Sequence, residues 1–232
     1  MVRLTFVVAA ILPAIAFVPA VLVAQNHTIV FPNPHIEVPH DAAARAAIAC
    51  GEPPLQVILA RQGYTINEEH GEIAAQLFVK AGRGPIIFKP IAAYGLADVS
   101  MGGWYKVQSA IGNATTEPVR QTMWRLEPYN NKQPYPPVMR GSTEKYNPGN
   151  SLFGLWVSST GFKNERVYTQ DVLQKFVRRF GNDLHKAHVY VAVRNGQIVP
   201  NTYLIGWEYS TNDDNQDMVT MVSNVKPVNG PK

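Results

Sequence analysis

The chain has 232 residues, of which 46% are hydrophobic and 16% are charged, and it contains 18 prolines and 17 glycines. This composition is typical of a packed, loop-rich globular protein, and it argues against a disordered chain or a long helical bundle. The formal net charge is +4, but the sequence has no run of basic residues with interleaved aromatic residues, so it does not predict a nucleic-acid partner.

Residues 1–24 are typical of a signal peptide, because Arg3 supplies a positive start and residues 4–23 form an apolar stretch. About 20 apolar residues are also enough to span a bilayer, so a membrane anchor is the alternative. Pro13 and Pro19 would break that helix, which favours the signal peptide. We therefore expect a secreted, extracellular protein that has no membrane contact after the signal is cleaved.

The rest of the chain predicts a single folded domain. Residues 25–48 contain three prolines and little periodicity, which predicts an extended leader or linker. One domain is then expected over residues 49–228, followed by a tail over residues 229–232. Cys50 is the only cysteine, which excludes an intrachain disulfide and a zinc site built from cysteines. The domain must therefore rely for its stability on its core or on a bound ion.

Two segments have a helical pattern. A short helix is predicted over residues 54–62, because apolar residues recur on one face, Pro54 suits the first turn and Gly63 suits the end. Residues 169–180 also show helical spacing of apolar residues, with a loop over the sheet as the alternative.

Most other apolar runs are rich in β-branched and aromatic residues and predict short strands separated by turns. The clearest signal is a hairpin in which Asn195-Gly196 forms a two-residue turn that requires positive φ angles. Together these runs predict a mainly β fold, an antiparallel, jelly-roll-like β-sandwich with one or two short helices. The runs cover residues 64–66, 85–91, 101–107, 120–126, 151–157, 188–194, 197–199, 203–207 and 218–222.

An acidic stretch lies between the last two of these runs, and no lysine or arginine occurs from residue 203 to residue 223. Carboxylates crowded into one loop repel one another unless a proton or a cation intervenes. Hard cations such as Ca²⁺ take 6–8 oxygen ligands of the kind that this stretch supplies. The candidate metal ligands are Glu208, Asp213, Asp214 and Asp217.

The spacing Asp213-x-Asn215-x-Asp217 matches the opening of an EF-hand calcium loop. The match then ends, because Met218 stands in place of the loop glycine, Asn224 stands in place of the final glutamate, and a strand pattern follows. An EF-hand is therefore not expected. The alternative to a metal loop is a solvated hairpin loop in which Asp and Asn act as turn formers.

Aromatic residues suggest a second function, carbohydrate binding. Trp104, Tyr129, Tyr135 and Trp156 are the candidate ligand-binding residues, because aromatic rings exposed on a surface can stack on sugars. Packing in the core or in loops is the competing explanation for the same residues.

No catalytic motif is found, so we expect a protein that is not an enzyme. The least favoured alternative is a glycoside hydrolase in which Glu208 pairs with Asp213 or Asp217. His185 and His188 have a spacing that can bind zinc, but the sequence shows no third ligand near them. A surface pair of histidines is the simpler interpretation.

Three C-terminal segments resemble part of a known family: residues 199–208 (VPNTYLIGWE), 214–219 (DNQDMV) and 224–225 (NV). They are similar to the end of a domain of unknown function in exported bacterial surface proteins, some of which carry sorting tails. That ending runs N-x-Y-hydrophobic-x-G-x-E-D, then D-Y-N-D-hydrophobic-V and N-V. Shorter similar pieces are residues 55–66, 103–105, 153–156 and 168–171.

The resemblance implies a secreted β-sandwich that binds Ca²⁺ and has no established enzymatic activity. The positions that match its cation ligands are Glu208, Asp214 and Asp217. We accordingly expect Ca²⁺ as the cofactor, and an extracellular polysaccharide or a surface protein as the partner.

The chain departs from the family pattern at two places. Tyr209 stands where the family often has a second acid, and Asn215-Gln216 replaces Tyr-Asn. Asp213 offers a substitute carboxylate for the missing acid.

Overall fold

The structure of the protein is a computed structural model. The expected signal peptide and leader, together with Tyr129, Tyr135 and Asp213, lie outside the described residues. The described residues are 53–67, 71–93, 99–107, 116–126, 143–160, 166–177, 183–209 and 214–229.

The described part of the chain forms two short helices and twelve strands. Neither helix is long and apolar enough to cross a membrane. The helices are α1 (Leu55–Arg61) and α2 (Asp171–Gln174). The strands are β1 (Tyr64–Thr65), β2 (Ala75–Lys80), β3 (Ile86–Ala93), β4 (Ser100–Lys106), β5 (Arg120–Leu126), β6 (Lys145–Tyr146), β7 (Phe153–Ser159), β8 (Arg166–Tyr168), β9 (Ala187–Arg194), β10 (Gln197–Trp207), β11 (Met218–Ser223) and β12 (Val225–Asn229).

These strands build two sheets, and the pairings between described strands are antiparallel. The first sheet has the order β1-β9-β10-β11-β3-β6. The second sheet has the order β12-β2-β7-β4-β5, and β8 also pairs with β7. The mainly β, antiparallel β-sandwich expected from the sequence is confirmed.

The main core lies between the two sheets, and aromatic side chains fill much of it. Phe88 of the first sheet packs against Trp124 of the second, with ring centroids 5.6 Å apart. Within the second sheet, Phe78 packs against its cross-strand neighbour Phe153, at 6.1 Å. Each large apolar side chain that is fully buried contributes on the order of 1.5–3 kcal/mol to folding.

The outer face of each sheet is also covered. Helix α1 packs Leu55, Ile58 and Leu59 onto the first sheet, in a cluster with Tyr190 and Leu204. The helix is followed by Gly63, whose φ of +74° suits the end predicted for it. On the second sheet, the α2 segment covers a smaller aromatic cluster that consists of Tyr105, Trp156, Tyr168 and Leu173.

Strand β10 differs from its prediction because it runs without interruption from Gln197 to Trp207, through Pro200. The predicted hairpin before it is confirmed, with positive φ angles at both Asn195 and Gly196. A register shift between Ile198 and Tyr203 absorbs the extra residues, so the proline sits in a bulge and no break in the strand is needed.

The chain crosses directly from the first sheet to the second at Asn224, between β11 and β12. Its side-chain Nδ2 donates to the carbonyl oxygens of Arg83, Gly84 and Pro85, at 3.0–3.4 Å. Its own carbonyl accepts the N–H of Ala81 at 2.9 Å. Residues 81–85 connect β2 to β3 and also pass between the two sheets. The hydrogen bonds of Asn224 therefore join the two connections between the sheets.

Candidate functional site

Two strand ends bring three of the four predicted acidic residues together. Trp207, the last residue of β10, is paired with Met218, the first residue of β11. Glu208 and Asp217 come directly after and directly before these residues, so they leave the sheet side by side. Asp214 joins them, because one carboxylate oxygen of each residue lies within 4.8 Å of the others. We call Glu208, Asp214 and Asp217 the acidic cluster.

Hydrogen bonds to the backbone fix these carboxylates. Oε2 of Glu208 accepts the N–H groups of Asp214 and Asn215, at 3.1 and 3.3 Å. Oδ2 of Asp217 accepts the N–H of Tyr209 at 2.6 Å. Because each carboxylate binds the backbone of the opposite side of the connection, the side chains and the loop hold each other in place.

A glycine lets the loop fold back onto the sheet. A Cβ atom on Gly206 would lie 2.5 Å from the backbone oxygen of Asn215 and 3.1 Å from Cδ2 of Leu55 in helix α1. Asn215 itself adopts a positive φ of 55°, which asparagine tolerates better than most residues. Asn215 therefore lies on the outer face of the first sheet, beside the start of α1, and Glu208 is completely buried.

Burial and like charge shift the titration of the acidic cluster. Burial has the largest effect on Glu208, and the charge and hydrogen bond of Asp217 add to it, so the pKa of Glu208 rises to about 8. The charge of Asp214 acts in the same direction, whereas the N–H of Asn215 opposes it. Carboxyl groups this close are neutralised by a shared proton or by a cation.

Two amide oxygens add to the donors at this loop. Within the described part of the chain, Oδ1 of Asn215 and Oε1 of Gln216 are buried and accept no hydrogen bond. Gln216 is only 4% exposed, and its Nε2 donates to Oδ2 of Asp214 at 2.9 Å, which places its amide at the cluster. A buried acceptor without a partner costs about 1–3 kcal/mol, and a hard cation is a partner that amide oxygens accept.

The two predicted aromatic residues that the structure describes, Trp104 and Trp156, do not share one platform. Trp104 and Trp156 belong to neighbouring strands, but Trp104 packs on the core between the sheets and Trp156 packs in the outer aromatic cluster. Trp104 stacks on Tyr146 with ring centroids 5.3 Å apart, and Trp156 is 3% exposed. The other two candidates, Tyr129 and Tyr135, lie outside the described residues, so carbohydrate binding stays a prediction.

Of the two carboxylate pairs suggested for a glycosidase, only Glu208 and Asp217 lie within the described residues, and these two are closer together than such a pair requires. Glu208 and Asp217 are hydrogen-bonded to each other through their side chains. Retaining glycosidases hold their two carboxyl groups about 5 Å apart or more, to leave room for the sugar. The geometry of this pair therefore favours a cation or a shared proton over glycoside hydrolysis.

A second cluster consists of Glu72, His185 and His188, and we call it the histidine cluster. Glu72 Oε1 lies 2.7 Å from Nε2 of His185, and Glu72 Oε2 lies 3.1 Å from Nδ1 of His188. The two imidazole rings meet edge to face, with centroids 4.5 Å apart. The structure thus supplies the third ligand that the sequence did not show near the histidines.

A carboxylate outside the histidine cluster holds one of its rings. Nδ1 of His185 lies 3.1 and 3.2 Å from the two carboxylate oxygens of Asp171. Gln76 fixes Asp171 in turn, since its Nε2 donates to Oδ2 of Asp171 at 2.7 Å and its Oε1 accepts the N–H of Asp171 at 3.3 Å. Each ring nitrogen of His185 therefore faces a carboxylate.

These contacts shift two pKa values in opposite directions. The hydrogen bond to Asp171, followed by the one to Glu72, raises the pKa of His185 to about 10 against the effect of partial burial. Burial alone would raise the pKa of Glu72, but the hydrogen bonds and charges of His185 and His188 outweigh it and lower that pKa to about 2. The cluster thus pairs an imidazolium with carboxylates.

Sequence reasoning missed the histidine cluster because its members are far apart in the chain. Glu72 precedes His185 by 113 positions, and it reaches β9 through an isolated bridge to Tyr190. The N–H of Ile73 also donates to the carbonyl of Val189 at 2.8 Å. No local pattern marks this pairing, so only the topology of the sheet could have indicated it.

Comparisons with known proteins give no function for either cluster. No family model matches the chain. No curated protein and no solved structure matches it either.

Proposed function

We propose that this chain is a secreted, non-enzymatic β-sandwich protein that binds Ca²⁺ at the acidic cluster and has a structural or adhesive role outside the cell. The observation that carries the proposal is the convergence of three carboxylates, one buried and two partly buried, beside two amide oxygens that have no hydrogen-bond partner among the described residues. The N-terminal sequence, which is typical of a signal peptide, supports secretion.

The donor set favours a hard cation over a transition metal. Glu208, Asp214 and Asp217 offer carboxylate oxygens, and Asn215 and Gln216 offer amide oxygens. Ca²⁺ takes 6–8 such ligands in a flexible geometry, whereas zinc and copper favour nitrogen and sulfur ligands. Backbone oxygens and water would complete the shell.

The physical role of the ion would be to replace the proton that the carboxyl pair otherwise needs. Calcium bound by Glu208 and Asp217 would link the end of β10 to the start of β11 and fix the loop between them. A loop fixed in this way can stabilise the domain or present its tip to a polysaccharide or a surface protein.

Thermal unfolding of the full chain tests calcium binding. Calcium at about 100 times its Kd would stabilise the protein by about 2.7 kcal/mol relative to chelator, which raises the Tm of a domain of this size by about 5–10 °C. Asp217→Asn should remove this rise. Glu72→Gln, which alters the histidine cluster alone, is the matched control and should keep it.

Terbium provides a second measurement, because Tyr209 and Trp207 flank Glu208 and can sensitise a bound lanthanide. Luminescence that calcium displaces from the native chain but that is missing in Asp217→Asn would support the site. Equal Tm values in millimolar calcium and in chelator, together with no displaceable terbium signal, would overturn the proposal.

Secretion is tested separately. Expression with the N-terminal segment intact should release a protein cleaved after Ala20 or Ala24, as read by mass spectrometry. An uncleaved chain retained in membranes would contradict this part of the proposal.

A further inference from the structure

The histidine cluster lies at one edge of the first sheet, away from the acidic loop in sequence and different from it in chemistry. His185 and His188 flank the first residue of β9, and Glu72 is held beside the same strand by its bridge to Tyr190. Their ligand atoms, two imidazole nitrogens and a carboxylate oxygen, lie within 4.8 Å of one another.

We propose that Glu72, His185 and His188 form a binding site for a divalent transition-metal ion of the zinc class. Two imidazoles and one carboxylate are a donor set that suits zinc, cobalt, nickel or copper, and it does not suit calcium or magnesium. This site shares no donor residue with the calcium site, although the two lie on paired strand ends, where the N–H of Glu208 donates to the carbonyl of Lys186 at 3.0 Å.

The distances are close to those that a metal requires. Ligands at about 2.0–2.2 Å from a tetrahedral zinc lie about 3.4 Å from one another. Glu72 now lies 2.7 Å from Nε2 of His185 and 3.1 Å from Nδ1 of His188. A bound metal would replace the protons that now join Glu72 to the two histidines. It would lengthen each of these two distances by less than about 1 Å.

The surroundings of His185 provide the second, independent observation. Histidines that bind metals almost always donate their other ring N–H to a carboxylate or a carbonyl, which fixes the ring and the tautomer. Nδ1 of His185 faces Asp171 in this way, and Gln76 makes two hydrogen bonds that hold Asp171 in position. A pair of histidines that only faces solvent would not need Asp171 to hold one ring or Gln76 to hold Asp171.

The exposure of the site leaves room for a fourth ligand. The side chains of His185, Glu72 and His188 are 43%, 30% and 17% exposed. Three protein ligands with access to solvent leave one tetrahedral position for water or for a group from another molecule. The site therefore suits a metal that contacts a partner or a small ligand, more than a metal sealed inside the core.

Titration calorimetry of the full chain with zinc, in excess calcium, tests the proposal. We expect zinc to bind the native chain, with a loss of at least tenfold in affinity for His185→Ala, for His188→Ala and for Glu72→Gln. Asp171→Asn should weaken zinc by about 10- to 100-fold, because it supports His185 without touching the ion.

Two controls separate this site from others. A variant that lacks His27, His35 and His40 should bind zinc as the native chain does, because these residues lie outside the cluster. Asp217→Asn should also keep zinc binding, so failure here and failure of the calcium site remain distinguishable. Circular dichroism should show the native β spectrum for every variant, and Glu72→Gln preserves the shape of the side chain if the alanine variants do not fold.

Cobalt gives a spectroscopic test, since Co²⁺ bound in a tetrahedral site absorbs visible light strongly. The band should appear with the native chain and disappear with His185→Ala. Zinc affinity that is unchanged in His185→Ala and in Glu72→Gln, or a native chain that binds no zinc, would overturn the proposal and leave the cluster as an ion pair held by protons.

Discussion

The acidic cluster and the histidine cluster each bring three donor groups together, but they place a glutamate in opposite surroundings. Glu208 is buried next to two other acids, and its pKa rises to about 8. Glu72 is half-exposed between two histidines, and despite the opposing effect of burial its pKa falls to about 2. The comparison shows that the charge of the neighbours, together with the depth of burial, decides whether a carboxyl group holds a proton.

The largest expected effect is the response of the acidic cluster to pH. Because the pKa of Glu208 is raised in the folded state, its contribution to stability is complete below about pH 4.5 and is lost as the pH rises through about 8. In chelator the free energy of unfolding should therefore fall between pH 5 and 8, by up to about 1.4 kcal/mol per pH unit.

Denaturant melts at several pH values measure this fall. Glu208→Gln should flatten the curve, since its amide keeps the hydrogen bonds of the neutral acid, and calcium should flatten it in the native chain by taking the place of the proton. An equally steep curve for Glu208→Gln would show that the acidic cluster does not cause the fall.

A smaller effect is expected from Gly206→Ala. The new methyl group would meet the backbone oxygen of Asn215 at 2.5 Å, so the loop must move off the sheet. Overpacking of this kind costs about 1–3 kcal/mol, and the displaced loop should also lose its calcium-dependent rise in Tm.

The matched control for this change is Gly82→Ala, whose methyl group would meet only the side chain of Asn224, at an ordinary 3.4 Å. Thermal melts with and without calcium compare the two variants. If Gly206→Ala behaves like Gly82→Ala, the close approach of the loop to Gly206 is not needed.

The smallest effect is expected from the histidine cluster in the absence of metal. Glu72→Gln should lower the free energy of unfolding by about 0.2–1 kcal/mol, because solvent screens partly exposed ion pairs. The raised pKa of His185 gives stability that is complete below about pH 6.5 and is lost as the pH rises through about 10. The lowered pKa of Glu72 gives stability that is complete above about pH 4.5 and is lost as the pH falls toward about 2.

The loss in Glu72→Gln should therefore be greatest between about pH 4.5 and 6.5, the window that these two pKa values define. Urea melts at pH 3, 5.5 and 9 would measure it, with Asp217→Asn as the comparison. An effect that grows steadily toward high pH would contradict the assignment of an imidazolium to His185.

Much of the fold could be predicted because its signals are local. The Asn195-Gly196 turn fixes a hairpin from two residues, and Gly63 marks the end of α1. The acidic cluster was also predictable, since Glu208 and Asp217 follow and precede strands that are neighbours in sequence and pair directly. In each case, the residues that come together in the fold are also close together in the sequence.

The rest depends on distant pairings that no short pattern contains. The sequence around Pro200 predicted two separate strands, 197–199 and 203–207. The bulge between Ile198 and Tyr203 instead makes β10 one continuous strand. Glu72 belongs to none of the runs that predict strands, and only the bridge to Tyr190 places it beside β9. The histidine cluster could not be predicted for this reason, although both of its histidines were noticed.

The double crossing at Asn224 has a consequence for the order in which the chain folds. Strand β3 pairs with β11, and β2 pairs with β12, so each sheet receives a strand from residues 218–229, far along the chain from its partner. Without residues 218–229, the first sheet would lose β11 from between β10 and β3, and the second sheet would lose its edge strand β12. Pairings over such long stretches of sequence also form slowly. The two sheets are therefore expected to be completed together, once residues 218–229 have paired with β3 and β2.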